Sequence, residues 1–457
     1  MKARTQKGNA GHHSCPSTLN QRGVDETRSG GSLIPEGEDL LELMLSRENM
    51  TAAWKRVKAN RGAAGVDELS IEESMELIRC TWQSIRRQIE EGSYRPSPVR
   101  RTEIPKGNGE TRPLGIPTVL DRLIQQALAQ VLVLIFNPGF SPYSYGFRPN
   151  RSAHQAVQHI ASHIKKGKHW AVDIDLSKFF DRVNHDLLME RVTRKVKDKR
   201  ILKLIGLYLR AGVSIDGVVM PTHLGVPQGG PLSPLLANIM LDDLDKEMEH
   251  RGHVFARYAD DFVVLVNSRR AGLRVMNSLR RFIESKLKLM VNEEKSKVVP
   301  SVDSEFLGFT FRRRKICWTE KTIQKFKRRI RQLTKRNWGV SLEMRMASLN
   351  RYLRGWIGYF RLSEYYSNVE KVDEWIRRRL RACVWKQWRK PRTKIRRLIQ
   401  MGAPRAEAIC TGMSSKGYWR LSKTYATNAA MNLKWFEELG LISVKEEWIA
   451  FHYPKKG

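Results

Sequence analysis

The sequence predicts an α+β fold, with strands and hairpins in the first two thirds of the chain and amphipathic helices in the last third. Residues 170–176 and 255–266 are rich in apolar and β-branched residues, which is the pattern of strands. Residues 325–331 and 375–381 place apolar residues at helical spacing among lysines and arginines, which predicts helices with a basic face. The length of 457 residues leaves room for about three domains.

The composition indicates a folded protein that binds a polyanion. The chain has 82 Lys and Arg against 47 Asp and Glu, a formal net charge of +35, and 41% hydrophobic residues. This hydrophobic fraction is too high for a chain that is disordered throughout. No uninterrupted apolar run reaches the ~18 residues that a bilayer crossing needs, so we expect no membrane partner. The five cysteines lie far apart without a zinc-finger pattern, which favours free thiols.

The N-terminal segment, residues 1–35, is rich in Gly, Ser and Asn, and we expect it to form a flexible arm. It has no acidic residue before Asp25, a feature that is also found in organellar transit peptides. We therefore expect a cytoplasmic, nucleoid-associated bacterial protein, with an organellar matrix as the alternative location.

Residues 102–116 predict a β-hairpin that turns at Gly107-Asn108-Gly109. Lys106 and Arg112 lie near its tip. They either belong to an ordinary exposed basic hairpin or clamp a triphosphate.

Two acidic segments are the candidates for chemistry. In the strand of residues 170–176, the two-residue period places Asp173 and Asp175 on one face. In residues 255–266, two strand-like runs are joined by a tight turn at Ala259-Asp260-Asp261. Aspartate is common in turns, so this pair alone fits a plain hairpin as well as a metal site.

The two acidic segments together favour a metal site. If they lie side by side, three carboxylates converge without a basic partner nearby in the sequence, and their mutual repulsion requires a hard cation such as Mg²⁺. Two Mg²⁺ ions in this position would stabilise the attacking and leaving oxygens of phosphoryl transfer. The sequence thus indicates nucleotidyl transfer. Between the two segments, residues 224–234 form a Gly/Pro loop, with Ser233 and Pro234 expected to start a helix that ends at about Met248.

Residues 311–400 carry much of the positive charge. They contain 28 Lys and Arg, 6 Asp and Glu, and six of the twelve tryptophans. Such a concentration of charge lowers stability unless a partner neutralises it, which predicts nucleic-acid binding through counterion release and aromatic stacking. Composition does not distinguish RNA from DNA.

The order of these segments resembles that of reverse transcriptases over most of the chain. Ala259 and the segment 42–71 are similar to the group II intron-encoded branch of that family. The motifs that carry the resemblance are the basic hairpin, Ser144–Pro149, Asp175–Asp181, the Pro227-Gln228-Gly229 loop, Tyr258–Asp261, Val291–Lys295 and Phe306–Phe309.

The resemblance implies a right-hand polymerase with α-helical and β-hairpin fingers, an antiparallel-sheet palm and a mainly α-helical thumb and maturase domain. The implied divisions are the arm (1–35), the N-terminal extension and fingers (36–168), the palm (169–310), the basic thumb and maturase domain (311–400), and a short C-terminal region with a possible DNA-binding role (401–457). Many relatives add an HNH endonuclease with cysteine pairs, and we expect none in this chain.

The resemblance also assigns the metal-binding carboxylates. It implies that Asp175, Asp260 and Asp261 are catalytic and hold the metal ions. In the family, an aromatic residue five positions after the first aspartate closes against the sugar 2′ position. That residue is Phe180 when counted from Asp175, whereas counting from Asp173 gives a lysine, so we expect Asp173 to be a supporting or partly exposed acid.

The remaining implied roles concern the substrates. Lys106 and Arg112 would neutralise the incoming triphosphate, and Gln228 would brace the nucleotide or the template. Arg148 would contact the template. Lys295 is either a general acid for the pyrophosphate leaving group or an ordinary surface lysine.

The resemblance implies an RNA-directed DNA polymerase and maturase that binds its intron RNA, promotes splicing and copies the intron into DNA. The implied partners are group II intron RNA, target DNA, a primer and deoxynucleoside triphosphates. A splicing-only RNA-binding maturase and a retron-type or defence-associated reverse transcriptase are the alternatives. The sequence does not indicate an oligomeric state.

Overall fold

The computed structural model describes residues 39–105 and 111–454. The expected N-terminal arm, residues 1–35, lies outside these ranges, as do Lys106 and the predicted turn at residues 107–109. The described chain combines many helices with mainly antiparallel sheets, which confirms the predicted α+β class.

The first part of the chain contains helices and the basic hairpin. Side-chain caps mark where two of its helices begin, because Ser70 with Glu73 and Ser152 with Gln155 form reciprocal capping boxes. The elements are α1 (Leu40–Leu45), α2 (Arg47–Asn60), α3 (Ile71–Glu90), β1 (Val99–Pro105), β2 (Thr111–Ile116), α4 (Val119–Phe136), a 3₁₀ turn (Asn137–Gly139) and α5 (Ala153–Lys165). β1 and β2 pair antiparallel, which confirms the strands of the predicted hairpin.

α4 forms the centre of this first region. By length and composition, the segment Val119–Gly139 could cross a membrane, but 67% of its most apolar stretch is buried inside the protein. α1, α2 and α3 pack against α4, and most of its side chains are buried. This burial is typical of the core helix of a folded domain.

The middle part of the chain contains the larger sheet. Its elements are β3 (Trp170–Asp175), α6 (Phe179–Arg182), α7 (His185–Thr193), α8 (Lys199–Leu209), β4 (Val213–Ile215), β5 (Val218–Met220), α9 (Ser233–His250), β6 (Val254–Tyr258), β7 (Asp261–Val266), α10 (Arg269–Lys286), β8 (Lys297–Pro300) and β9 (Phe309–Arg312). α9 begins one residue earlier than expected, and the Ser233 hydroxyl donates to the Pro227 carbonyl (2.6 Å) instead of capping the helix.

The larger sheet of this middle part, which we call the palm sheet, has the strand order β6-β7-β3-β8. All its strand pairs are antiparallel, as predicted. Hydrophobic cores cover both of its faces. Val264 and Val266 of β7 belong to one core with α4 and α9, whereas Val263 and Leu265 belong to a second core with the C-terminal helices. This double burial explains why β7 is a continuous apolar run rather than an alternating one.

A second four-stranded sheet, in the order β2-β1-β4-β5, joins two regions that the sequence-based division separates. β4 pairs in parallel with β1 through Val99 and Val213. The expected boundary at residue 168 therefore divides the sequence, whereas the sheet is continuous across it.

The last part of the chain is helical after one hairpin strand that pairs with β9. Its elements are β10 (Lys315–Trp318), α11 (Glu320–Leu333), α12 (Leu342–Phe360), α13 (Tyr366–Gln387), α14 (Pro391–Gln400), α15 (Arg405–Met413), α16 (Tyr418–Leu421), α17 (Tyr425–Ala430), α18 (Leu433–Glu438) and α19 (Val444–His452).

The division expected at residue 400 does not coincide with a structural break. α14 packs on α15, and α13 packs on both α16 and α19. Phe436 and Trp448 share one core with Phe326 and Leu353. Residues 401–457 contain eight Lys and Arg against five Glu, so this region is far less basic than the preceding ninety residues. A DNA-binding role for it stays a prediction.

Candidate active site

The register of the palm sheet brings the predicted carboxylates together. Asp175, the last residue of β3, is the direct partner of Asp261, the first residue of β7. The turn before Asp261 has two residues, Ala259 and Asp260, and is thus one residue shorter than expected. By the two-residue period, Asp173, Asp175 and Asp261 share the face of the sheet that is turned toward the second core.

The electrostatics of Asp261 reflect this crowding. Desolvation by the surrounding protein, followed by the charges of Asp173, Asp260 and Asp175, raises the pKa of Asp261 to about 7. Its side chain is nevertheless accessible to solvent. Desolvation and the charge of Asp175 also raise the pKa of Asp260, against the opposing charges of Arg112 and Arg257.

Asp173 is held differently from the other three carboxylates. Its Oδ1 accepts a hydrogen bond from the Ser304 hydroxyl (2.8 Å), and its Oδ2 is buried without a partner among the described residues. Desolvation raises its pKa to about 6, although the charge of Lys297 opposes this shift. This geometry agrees with the supporting role expected for Asp173.

The donor set fits a hard divalent cation. All the converging groups are carboxylates, which Mg²⁺ prefers, and a cation would offset the desolvation and the mutual repulsion that together raise the pKa of Asp261. In the described ranges, no three His, Cys, Asp or Glu side chains already surround a common metal position. Asp175, Asp260 and Asp261 are the residues that would turn toward an ion here.

Two basic side chains from distant parts of the sequence approach these carboxylates in space. Lys295 Nζ lies 4.0 Å from Asp175 Oδ2, and both side chains are about half exposed. The Asn292 amide donates to the Asp175 carbonyl (2.8 Å) and so fixes this segment beside β3. Arg112, on β2 opposite Ile104, is exposed and close enough for its charge to act on Asp260.

The Gly/Pro loop connects the predicted nucleotide-binding residues. The Val226 amide donates to the carbonyl of Phe180 (2.7 Å), and the Gly115 amide of β2 donates to the carbonyl of Gln228 (2.7 Å). Gly229 has φ 130°, and a Cβ at this position would lie 2.4 Å from the Gly115 carbonyl oxygen. The loop therefore joins α6 to the hairpin that carries Arg112. The nucleotide contacts of these residues stay predictions.

Arg148 is engaged within the protein. Its guanidinium donates to the Asn137 side chain (2.9 Å) and to the carbonyls of Asn137 (3.1 Å), Ser141 and Ser144 (2.8 Å). Desolvation lowers its pKa to about 10. Because these bonds use four of its five N–H groups, the geometry favours a structural role. The expected template contact stays a prediction.

Sequence reasoning did not identify a buried network behind the turn formed by Ala259 and Asp260. Arg257 pairs with Asp245 of α9, donates to Asn238, and donates to the carbonyl of Ala259. Arg257 stands next to the Tyr258–Asp261 motif, which was a local signal. Its side-chain partners, Asp245 and Asn238, lie on α9, and no sequence spacing rule connects these two residues to Arg257.

The basic helices of the last third form a candidate nucleic-acid interface. On α11, Phe326 and Ile330 are buried while Lys325, Arg328 and Arg329 are exposed, which confirms the predicted apolar stripe and basic face. Of the six tryptophans in residues 311–400, four are buried in the core. These four are Trp318, Trp356, Trp385 and Trp388. The surface charge therefore supports phosphate contacts better than these tryptophans support base stacking.

Comparisons with known proteins agree with this organisation. The family model for reverse transcriptase (RNA-dependent DNA polymerase) matches residues 104–311, and the group II intron maturase-specific domain matches residues 323–401. Protein YkfC of Escherichia coli (strain K12) is 33% identical over 309 residues, which cover 59% of this chain and 81% of YkfC. The group II intron-encoded protein LtrA of Lactococcus lactis subsp. cremoris is 31% identical over 345 residues, which cover 60% of this chain and 57% of LtrA.

A solved structure of telomerase from Candida albicans, in complex with a fragment of telomeric RNA, aligns with 69% of this chain and 64% of that chain. The sequence identity is 14% and the TM-score 0.41. The two family models lie in the same order as the palm and the basic helices, and YkfC is matched over most of its length. The chain therefore belongs to the reverse transcriptases, in the group II intron-encoded branch that joins a polymerase region to a maturase-specific domain.

Proposed function

We propose that this protein is an RNA-directed DNA polymerase and maturase that binds group II intron RNA, promotes its splicing and copies it into DNA. The observation that carries the polymerase activity is the register that places Asp175 opposite Asp261, with Asp260 in the adjoining turn. This carboxylate set lies inside the region that matches reverse transcriptases.

In the proposed reaction, the primer 3′-hydroxyl attacks the α-phosphate of a deoxynucleoside triphosphate and pyrophosphate leaves. Asp175, Asp260 and Asp261 would hold two Mg²⁺ ions, which when bound stabilise negative charge on the phosphoryl oxygens. Arg112 binds the triphosphate by charge. Lys295 donates a proton toward the leaving pyrophosphate, since its ammonium lies at the edge of the carboxylate cluster.

Phe180 would provide sugar selection. It lies in α6, five residues after the end of β3, and is half-buried, with its carbonyl accepting a hydrogen bond from the Val226 amide. A side chain held in this way can exclude a 2′-hydroxyl by steric contact, which favours deoxynucleotides. The proposed product is therefore DNA.

The proposed maturase activity depends on the basic helices. The match to the maturase-specific domain begins within α11 and ends after α14, so it covers the most basic segment of the chain. Neutralising exposed residues such as Lys325 and Arg328 with Gln should weaken RNA binding. The salt dependence of binding should also fall, by about one unit of slope for each phosphate group that the variant no longer binds. Gln replacements of exposed Lys197 and Lys286 provide the control.

Primer extension on an RNA template tests the polymerase activity. The wild-type protein should extend a DNA primer with deoxynucleotides, and Asp260→Ala should abolish extension while RNA binding is retained. Full activity in Asp260→Ala would refute the site. RNA binding without any extension by the wild-type protein would favour a splicing-only maturase.

A further inference from the structure

A fully buried hydrogen-bond network adjoins the turn formed by Ala259 and Asp260, which we call the catalytic turn. The side chains of Arg257 on β6 and Asp245 on α9 are both 0% exposed. They form a bidentate ion pair, with Nε–Oδ1 at 2.7 Å and Nη2–Oδ2 at 2.5 Å. Arg257 Nη1 also donates to Asn238 Oδ1 (3.0 Å) and to the Ala259 carbonyl (2.9 Å). Arg257 thus connects a helix to the catalytic turn.

The network extends to a second loop. The Asn238 side-chain amide donates to the Gly146 carbonyl (2.9 Å), and Asn238 is itself 0% exposed. The backbones of the two loops touch, because a Cβ on Gly146 would lie 2.3 Å from the Ala259 nitrogen. The Tyr145 amide also donates to the Arg257 carbonyl (2.8 Å). The loop of residues 144–148 and the catalytic turn are therefore held as one unit.

Stability alone is a poor explanation for this arrangement. Removing two charges from water is costly, and well-packed apolar residues often stabilise a core as well as a buried ion pair does. The guanidinium has a rigid planar fork, so a carboxylate that fixes its orientation also fixes its remaining donor. That donor binds the carbonyl of Ala259, a non-glycine residue with φ 59° in the left-handed region.

We propose that Arg257 is a positioning residue for nucleotidyl transfer. Held by Asp245, it fixes the Ala259 carbonyl and thereby the direction in which Asp260 and Asp261 present their carboxylates. Asn238 couples the same guanidinium to the loop of residues 144–148. This inference rests on the proposed polymerase function, and Arg257 itself touches neither substrate nor metal.

The same helix provides a matched control. Asp243 lies two residues before Asp245 on α9 and also pairs with arginines, Arg191 (2.8 Å) and Arg194 (2.7 Å) of the segment at α7. Neither arginine makes a hydrogen bond to the catalytic turn among the described residues. Asp243→Asn and Asp245→Asn thus make the same chemical change two residues apart, and only one of them affects the support of Ala259.

The test measures single-turnover incorporation of one deoxynucleotide on an RNA template, corrected for the folded fraction of each variant. Arg257→Lys and Asp245→Asn should slow incorporation by about 100-fold, as expected for misplaced reacting groups, with unchanged primer–template affinity. Asp243→Asn should retain the wild-type rate. Higher Mg²⁺ should partly restore Arg257→Lys, whose carboxylates are displaced but present, and should not restore Asp260→Ala.

Three results would overturn the proposal: a wild-type rate in Arg257→Lys, an equal loss in Asp243→Asn, or no response of Arg257→Lys to added Mg²⁺. If the Arg257 and Asp245 variants do not fold, Asn238→Ala removes the link to Gly146 with less disturbance and should still slow incorporation. A wild-type rate in Asn238→Ala would then count against the network.

Amide hydrogen exchange separates this proposal from the proposed function. Residues 255–262 should exchange faster in Arg257→Lys than in the wild-type protein or Asp243→Asn. If the wild-type protein extends no primer, the polymerase proposal fails, and exchange alone decides whether the network holds the turn. Unchanged exchange in this segment would refute the network.

Discussion

Asp175 lies directly opposite Asp261 across the β3–β7 pair. Like charges in this position destabilise a sheet, because directly opposite side chains on neighbouring strands are in contact range. The sheet tolerates the pair at its open end, where both side chains reach solvent. In the proposed site, a bound divalent cation would offset this repulsion.

Asp261 and Asp173 should differ in their importance for nucleotide incorporation. Asp261→Asn should lower kcat by about 100-fold or more, because a lost metal ligand removes several kcal/mol of transition-state stabilisation. Asp173→Asn should retain most of the activity, since an amide oxygen can still accept the hydrogen bond from Ser304. Steady-state primer extension measures both, and equal losses in the two variants would contradict the supporting role of Asp173.

Phe180→Val should admit ribonucleotides. A smaller side chain leaves room for the 2′-hydroxyl, so the preference for deoxynucleotides in kcat/KM should fall roughly 10- to 100-fold. Phe179→Val is the control, because Phe179 is 2% exposed and packs in the core. That variant should lose stability and keep its sugar preference. Unchanged selectivity in Phe180→Val would remove the proposed gate.

Lys295→Ala should slow the chemical step. A general acid contributes about 100-fold or more, so single-turnover incorporation of a deoxynucleotide should fall by about that factor while primer–template binding is retained. Lys286→Ala replaces an exposed lysine at the end of α10 and should have no effect. If Lys295→Ala incorporates nucleotides at the wild-type rate, Lys295 is an ordinary surface lysine.

His159 should make the protein sensitive to acid. Desolvation, with the charges of His163 and Lys166, lowers the pKa of His159 to about 4, and its Nε2 is buried without a partner in the described residues. The unfolded chain therefore binds a proton below about pH 6.5 that the folded chain accepts only near pH 4. Stability should fall by about 2 to 3 kcal/mol across that window.

The measurement for His159 is the free energy of unfolding between pH 7 and pH 4, by urea denaturation. His159→Phe retains an aromatic ring against Tyr143, whose ring centroid lies 4.9 Å from that of His159. The variant should lose less stability on acidification than the wild-type protein. Parallel curves for the two proteins would show that His159 titrates normally.

Much of the site could be predicted from the sequence because its signals are local. The two-residue period placed Asp173 and Asp175 on one face, and the paired apolar runs predicted the hairpin that carries Asp260 and Asp261. The basic face of α11 followed from helical spacing in the same way.

The rest depends on contacts between distant segments. Lys295 approaches Asp175 through a chain segment 120 residues later, and Asp245 reaches Arg257 from a different element. The choice between a template contact and a structural role for Arg148 depends on which carbonyls surround it, and the sequence pattern is the same in both cases. Tertiary packing decides such cases.

The most direct test of the central claim is single-nucleotide incorporation on an RNA template by the wild-type protein and by Asp175→Asn, with Mg²⁺ present. Asp175→Asn keeps the shape of the side chain and removes one charge from the pair with Asp261. We expect rapid incorporation by the wild-type protein and a decrease of about 100-fold or more in the variant, with RNA affinity retained. Equal rates for the two proteins would contradict the assignment of Asp175 as a metal-binding catalytic residue.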